Sequence, residues 1–318
     1  MPRPTSATTL QRPEIGQLVY EYLLTPSDMG LMGFDILPIF GVSEKSADMP
    51  FLPLEVMAKA QDTNRVSRGH YNRSDWNFET LTYTCKEKGW EEAIFDDEVN
   101  LYARLFDVEL ASAERALFII SLAREIEMAA AIFNATTFTS YTAAVTTEWS
   151  TAATATPRAD INTAKQAALV TLNSAAMSYK VFLNLVNTAE AKDALKYTNP
   201  IELGGMEAQR RIIAQYLGLD NVFVSNAKKD TAKKNVTYSL SDVWDDEYVL
   251  VFKRGDGASL RDPAVGRTFM WEADAPGIIT VDQYREEQAR ASIYRVRNSL
   301  DPKIMNAGAG YLLSNITE

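Results

Sequence analysis

Apolar residues recur at helical spacing through "DVELASAERALFIISLAREIEMAAAIFN", Asp107 to Asn134. Ala116, Ile119, Ile120, Ala123, Ile126, Ala130 and Phe133 form one stripe. Glu114, Ser121 and Glu125 fall on the opposite side, with Arg124 at its edge. The pattern predicts one long helix, capped by Asp107. At 1.5 Å per residue it makes a rod of roughly 40 Å. A shorter helix is expected before it, over 96–106.

The flanks carry different periods. In "WNFETLTYTCK" Trp76, Phe78, Thr80, Thr82 and Thr84 alternate with Asn77, Glu79, Leu81, Tyr83 and Cys85. This predicts a β-hairpin within 62–92 whose faces are too polar to make a core, and a lone hairpin is marginal in water. Residues 135–157 hold nine Thr and six Ala with Phe138, Tyr141 and Trp149 among them, which favours extended chain. Further helices are expected over 160–176, over 179–187 with Ser178 as cap, and over 207–217 ending at Gly218. Strands are expected over 222–225, 248–253, 268–272, 278–285, 292–297 and 311–313. Without βαβ regularity, the fold class is α+β. Seven of the twelve prolines lie in residues 1–55, which predicts an extended arm with a brief helix over 15–24.

Composition narrows the function. The 318 residues are 46% apolar and 23% charged, with a net charge of −10. That balance disfavours nucleic-acid affinity, which needs Lys and Arg against phosphates. A single cysteine, Cys85, suits a reducing compartment. The N-terminus has no apolar run of a signal peptide, and no stretch reaches about 18 apolar residues, so no membrane span is expected.

Candidate chemistry is sparse. One histidine, His70, and one cysteine cannot build a structural zinc site, and no base–nucleophile pair is apparent around His70. The glycines of "LGGMEAQRR" (203–211) read as a turn into a helix. "FDDE" (95–98) and "WDDE" (244–247) read as helix starts or turns, Arg254-Gly255-Asp256 as a surface loop, and "NAKKDTAKKN" (226–235) as a solvated basic tip. No catalytic, cofactor-binding or metal residue is assigned, and the chain is not read as an enzyme.

The order of parts resembles the major capsid proteins of tailed double-stranded DNA bacteriophages. "DVELASAERALFIISLAREIEMAAAIFN" is similar to their spine helix, and "WSTAATATPRADINTAKQAAL" to the entry of their axial domain. "VWDDEYVLVFKRG" and "AVGRTFMWE" resemble that domain's late strands, and "MNAGAGYLLSN" the glycine–tyrosine ending of such chains. The resemblance implies an N-terminal arm (1–55), an extended β-hairpin loop (56–98), a peripheral domain with the spine helix (99–157 and 271–318) and an axial domain (158–270). It implies hexamers and pentamers of one chain in an icosahedral head around packaged DNA, without sequence-specific DNA contact. An encapsulin-like nanocompartment shell is the alternative. Candidate subunit contacts are Trp76, Phe78, Tyr83 and Trp90. Some relatives crosslink a hairpin lysine to a neighbouring subunit, and Lys86 and Lys88 lie in that region. The implied partners are other copies, a separate scaffolding protein, a portal and, in some shells, a decoration protein. The implied location is the virion, after assembly in a host cytoplasm.

Overall fold

The computed structural model describes residues 10–11, 30–51, 53–65, 67, 69–73, 78–97, 108–196, 205–233, 236–255, 259, 262–273 and 277–317. The expected helix over 15–24, the Asp107 cap and nearly all of the helix expected over 96–106 lie outside them.

Two sheets share one helix. The six-stranded sheet is built on β14 (Ala291–Ile304). Along 291–297 it pairs antiparallel with β13 (Thr280–Glu286), and along 300–304 with β12 (Gly266–Trp271). Along 291–300 it pairs with β5 (Lys86–Phe95). Strand β1 (Leu10–Gln11) adds to β13, and β2 (Ile39–Val42) runs parallel to β12.

The five-stranded sheet has the order β6 (Thr142–Ala144), β15 (Gly310–Ser314), β11 (Val249–Phe252), β7 (Ser174–Ser178), β8 (Asn221–Ser225). Successive side chains leave a strand on opposite faces, and here both faces are buried. Ala175, Met177, Val222, Val224, Val249, Val251, Tyr311 and Leu313 enter a core with α4 (Pro157–Ala167), α5 (Tyr179–Asn187), α6 (Ala189–Leu195) and α7 (Met206–Leu217). Ala176, Phe223, Leu250, Phe252 and Leu312 enter a second core. That second core also receives Met128, Ala129 and Ile132 of the long helix α3 (Val108–Ile132), and Ile36 of the short helix α1 (Gly33–Ile36). The first half of α3 packs Ala113, Ala116, Leu117 and Ile120 against Ile94, Val281, Tyr294 and Val296 of the other sheet. One rod therefore serves as a shared wall for both sheets.

Several expectations change. The buried stripe of α3 runs Ala113, Ala116, Leu117, Ile120, Ser121, Arg124, Glu125, Met128, Ala129, Ile132. Ile119, Ala123 and Ile126 are only half-buried and Ala130 is exposed. Apolar residues occur nearly all round this helix, so their spacing did not select a face. The helix expected over 160–176 ends at Ala167, and 174–178 is a fully buried strand. The Thr/Ala tract forms turns and one three-residue strand, with Phe138 and Trp149 fully buried.

The expected hairpin is also rebuilt. Strand β4 (Glu79–Thr84) pairs not with β5 but with β3 (Ser46–Phe51), a segment assigned to the arm. The expected grouping of 271–318 is divided as well, since β13 and β14 lie in one sheet and β15 in the other. Ser178 does cap α5, its Oγ accepting from Val181 N, and α7 does stop at Gly218, where φ is 64°.

Candidate assembly surface

Two adjacent charged residues of α3 fix the frame that carries the surface. Glu125 is 1% exposed. Its Oε1 accepts from Met32 N at 2.8 Å, Gly33 N at 3.1 Å and Trp244 Nε1 at 2.7 Å, while Oε2 lies 3.1 Å from Gly33 N. A Cβ on Gly33 would stand 2.5 Å from Met128 Cε and 2.8 Å from Glu125 Oε2. A larger residue there would require the Met128 thioether and the Glu125 carboxylate to shift. Burial pushes the Glu125 pKa up, and the three N–H donors work against that rise.

Arg124 is also 1% exposed and faces the other sheet. Its Nη2 donates to Lys86 O (2.7 Å), Nε to Asn298 Oδ1 (3.0 Å), and Nη1 to Glu127 Oε2 (2.9 Å) and Leu300 O (3.3 Å). Neighbours on one helix thus tie β5 and β14 on one side to residues 32–33 and Trp244 on the other. Helical spacing places Glu125 on the polar side and Arg124 at its edge, yet both are buried. The "RE" of "LAREIE" next to buried apolar neighbours was the available signal.

From this frame the β3–β4 ribbon extends. Its base is packed: Tyr83 is 6% exposed and stacks on Phe269 (centroids 4.7 Å apart, planes at 17°), with Cys85 fully buried beside them. Burial pushes the Cys85 thiol up to about 11, which keeps it unreactive. The two faces separated by alternation are thus real, and the Leu81–Tyr83–Cys85 face is spent within the chain. Tyr83 has no apolar area left for a neighbouring subunit. Phe78, on the other face, is 60% exposed. Trp76 lies outside the described residues. Trp90, 44% exposed, donates from Nε1 to Glu92 at 2.7 Å. The strand β5 that bears it is locked to α3 by Lys88–Glu127 (2.7 Å) and Arg115–Glu92 (2.9 Å). Lys88 therefore already has an acidic partner. Met57 and Tyr71, in the long connection between β3 and β4, are 69% and 72% exposed.

The acidic groups hold structure. Asp96 binds Arg285 through both oxygens (2.6 and 2.7 Å), which lowers its pKa. Asp246 accepts from Ser178 Oγ at 2.5 Å, and Asp245 from Glu247 N at 3.0 Å. His70 is exposed. Among the described residues no three His, Cys, Asp or Glu side chains are grouped to hold a metal, and no helix is long and apolar enough to cross a membrane. Arg254 of the Arg-Gly-Asp tripeptide lies over Phe223 and 3.3 Å from Asp35, whereas Asp256 is outside the described residues.

No protein-family model and no curated protein matches the sequence. Solved structures do match. A phage-related protein from Bordetella bronchiseptica superposes with a TM-score of 0.71 at 17% identity, over 97% of this chain and 98% of that one. The capsid of the cyanophage P-SCSP1u gives 0.57 at 11% identity, over 88% and 86%. An encapsulin complex from Synechococcus elongatus gives 0.53 at 9% identity, over 100% and 94%. Mixed sheets on a long spine helix, matched over nearly its whole length, give this chain the fold of the tailed-phage major capsid proteins.

Proposed function

We propose that this chain is the major capsid protein of a tailed phage, assembling as hexamers and pentamers into an icosahedral head around packaged double-stranded DNA. The observation that carries the reading is a shell-protein fold whose ribbon is packed at its base and exposes large apolar side chains beyond it, including Phe78 at 60%. A monomer gains nothing from such exposure, whereas a neighbouring subunit would bury it. On this reading the six-stranded sheet and α3 form the peripheral domain. The five-stranded sheet with α4 to α7, joined by β15, forms the axial domain. The β3–β4 ribbon is the extended loop, and Phe78 and Trp90 are the contact residues kept from the sequence reading. The wall is structural, and its charge of −10 suits a container that must release its DNA. A scaffolding protein, a portal and a decoration protein are the proposed partners.

The similarity to an encapsulin complex supports a second reading, a compartment of the same fold around enzymes. Negative-stain micrographs of the expressed protein, alone and with its gene neighbours, test both. Closed shells carrying nuclease-protected DNA support the first, and closed shells loaded with a neighbouring enzyme the second. Light scattering that shows only a monomer at every concentration overturns both.

A further inference from the structure

The tract "NAKKDTAKKN" enters a small ribbon. Strand β9 (Lys228–Asp230) pairs with β10 (Leu240–Asp242), and neither strand joins another sheet. Hydrogen bonds tie the ribbon at its base and toward its tip. At its base, Ala227, Val243 and Trp244 are buried, and Val243 N donates to Ala227 O at 2.9 Å. Toward its tip, Asp230 Oδ1 accepts from Ala232 N and Ser239 N, both at 2.9 Å. Thr231 N donates to Ser239 O at 2.9 Å, and Lys228 pairs with Asp242.

On this ribbon apolar side chains stand in solvent. Val236 is 65% exposed, Tyr238 72% and Leu240 60%. The tract 226–235 carries four lysines and one aspartate, a net of +3 that leaves −13 on the rest of the chain. Lys229 and Lys233 have no acidic partner among the described residues.

We propose that the β9–β10 ribbon is a docking element for a second copy of this chain, burying Tyr238 and Leu240 while Lys229 and Lys233 orient it on that copy's acidic surface. The proposal rests on the capsid reading and names a contact that reading left unassigned. Charge selects the occupant, because a basic ribbon on an acidic molecule is complementary to another copy of that molecule. DNA fits less well. Among the described residues only two cations of the ribbon lack an acidic partner, too few to neutralise many phosphates, and exposed aliphatic side chains gain little against a phosphate backbone.

The test uses the full chain under conditions in which the wild type forms shells. Tyr238→Ser with Leu240→Ser, and separately Lys229→Glu with Lys233→Glu, are compared by sedimentation velocity and thermal melting. Both pairs are expected to melt with the wild type and to raise the concentration at which shells appear at least tenfold. A photo-crosslinking phenylalanine at position 238 is expected to join two chains within wild-type shells. Unchanged assembly of both variants, or crosslinks only within one chain, overturns the docking role and leaves the capsid reading standing. A lysine variant that loses retention of a DNA fragment in a gel while assembling normally assigns the ribbon to nucleic acid and also overturns it. A wild type that never assembles overturns the capsid reading itself.

Discussion

At the scale of single residues, the two buried charges of α3 are the points on which the subunit is most sensitive. Glu125 satisfies three N–H donors that have no water to turn to. Glu125→Ala strands all three, at roughly 1–3 kcal/mol each. A loss of about 3–9 kcal/mol is expected, large against a typical stability of about 5–15 kcal/mol. Chemical denaturation measures it. Glu125→Gln keeps an acceptor oxygen and should lose less. Its pH profile carries a second signature. Burial raises the folded-state pKa of Glu125 above its ordinary 4.5, so the folded protein holds this proton more tightly than the unfolded chain. That contribution is fully present below pH 4.5 and is lost as pH rises through the folded pKa. Glu125→Gln cannot titrate, so the stability gap between wild type and variant should move against the wild type as pH rises through that window. A gap that stays flat would show that the hydrogen bonds balance burial, and one that moves the other way that they outweigh it.

At the scale of elements, the long helix was legible and its buried face was not. Twenty-five residues without proline or glycine specify α3, but Leu117, Phe118, Ile119, Ile120 and Leu122 surround the axis. Tertiary partners then select the face, and they select Arg124 and Glu125 with it. Alternation likewise revealed the strand character of 79–84 and its two faces. A period of two says nothing about which strand pairs with which, so the β3 partner was hidden in a proline-rich stretch. Of the residues expected at subunit contacts, Phe78 and Trp90 are exposed and Tyr83 turns inward to Phe269, while the exposed Tyr238 lies just past the tract read as a solvated tip (226–235). Elements thus divide into those that hold the subunit and those that would hold its neighbours, and a matched pair of substitutions separates them. Ile120 is 3% exposed between α3 and the six-stranded sheet. Ile120→Asp buries an unpaired carboxylate, costs several kcal/mol and should leave an aggregating chain. Phe78→Asp should leave circular dichroism and melting within about 0.5 kcal/mol of wild type, as surface substitutions usually do. Its effect should instead be on shell formation, where burial of an aromatic contributes roughly 1.5–3 kcal/mol per contact. Phe78→Asp that unfolds the subunit would place the ribbon tip in the subunit's own core.

At the scale of the whole molecule, the chain is a frame of two sheets and one helix from which peripheral strands reach outward, and the N-terminal segment marks where frame begins. Among the described residues, contacts with the core start at Gly30, whose carbonyl accepts from Ser225 Oγ and whose φ of 68° suits glycine. Met32, Ile36 and Leu37 follow, each nearly or fully buried, and the Met32 and Gly33 amides reach Glu125. Before Gly30, the described contact with the frame is β1, two residues paired to the edge of β13 at Gln283 and Asp282. Of the described contacts, deleting residues 1–29 removes that short ladder and none in the cores. At roughly 1 kcal/mol per backbone hydrogen bond, loss of that ladder is expected to cost about 2 kcal/mol, and the truncated subunit to melt as one cooperative unit. If the arm serves neighbours, as the capsid reading requires, the same truncation should depress assembly far more than stability. Light scattering of matched concentrations would then show capsomers or monomers where the full chain gives shells. A truncated chain that assembles as readily as the full one removes the arm from the assembly scheme. One that is insoluble from the outset places residues 1–29 in the frame, and the boundary drawn at Gly30 is then too late in the sequence.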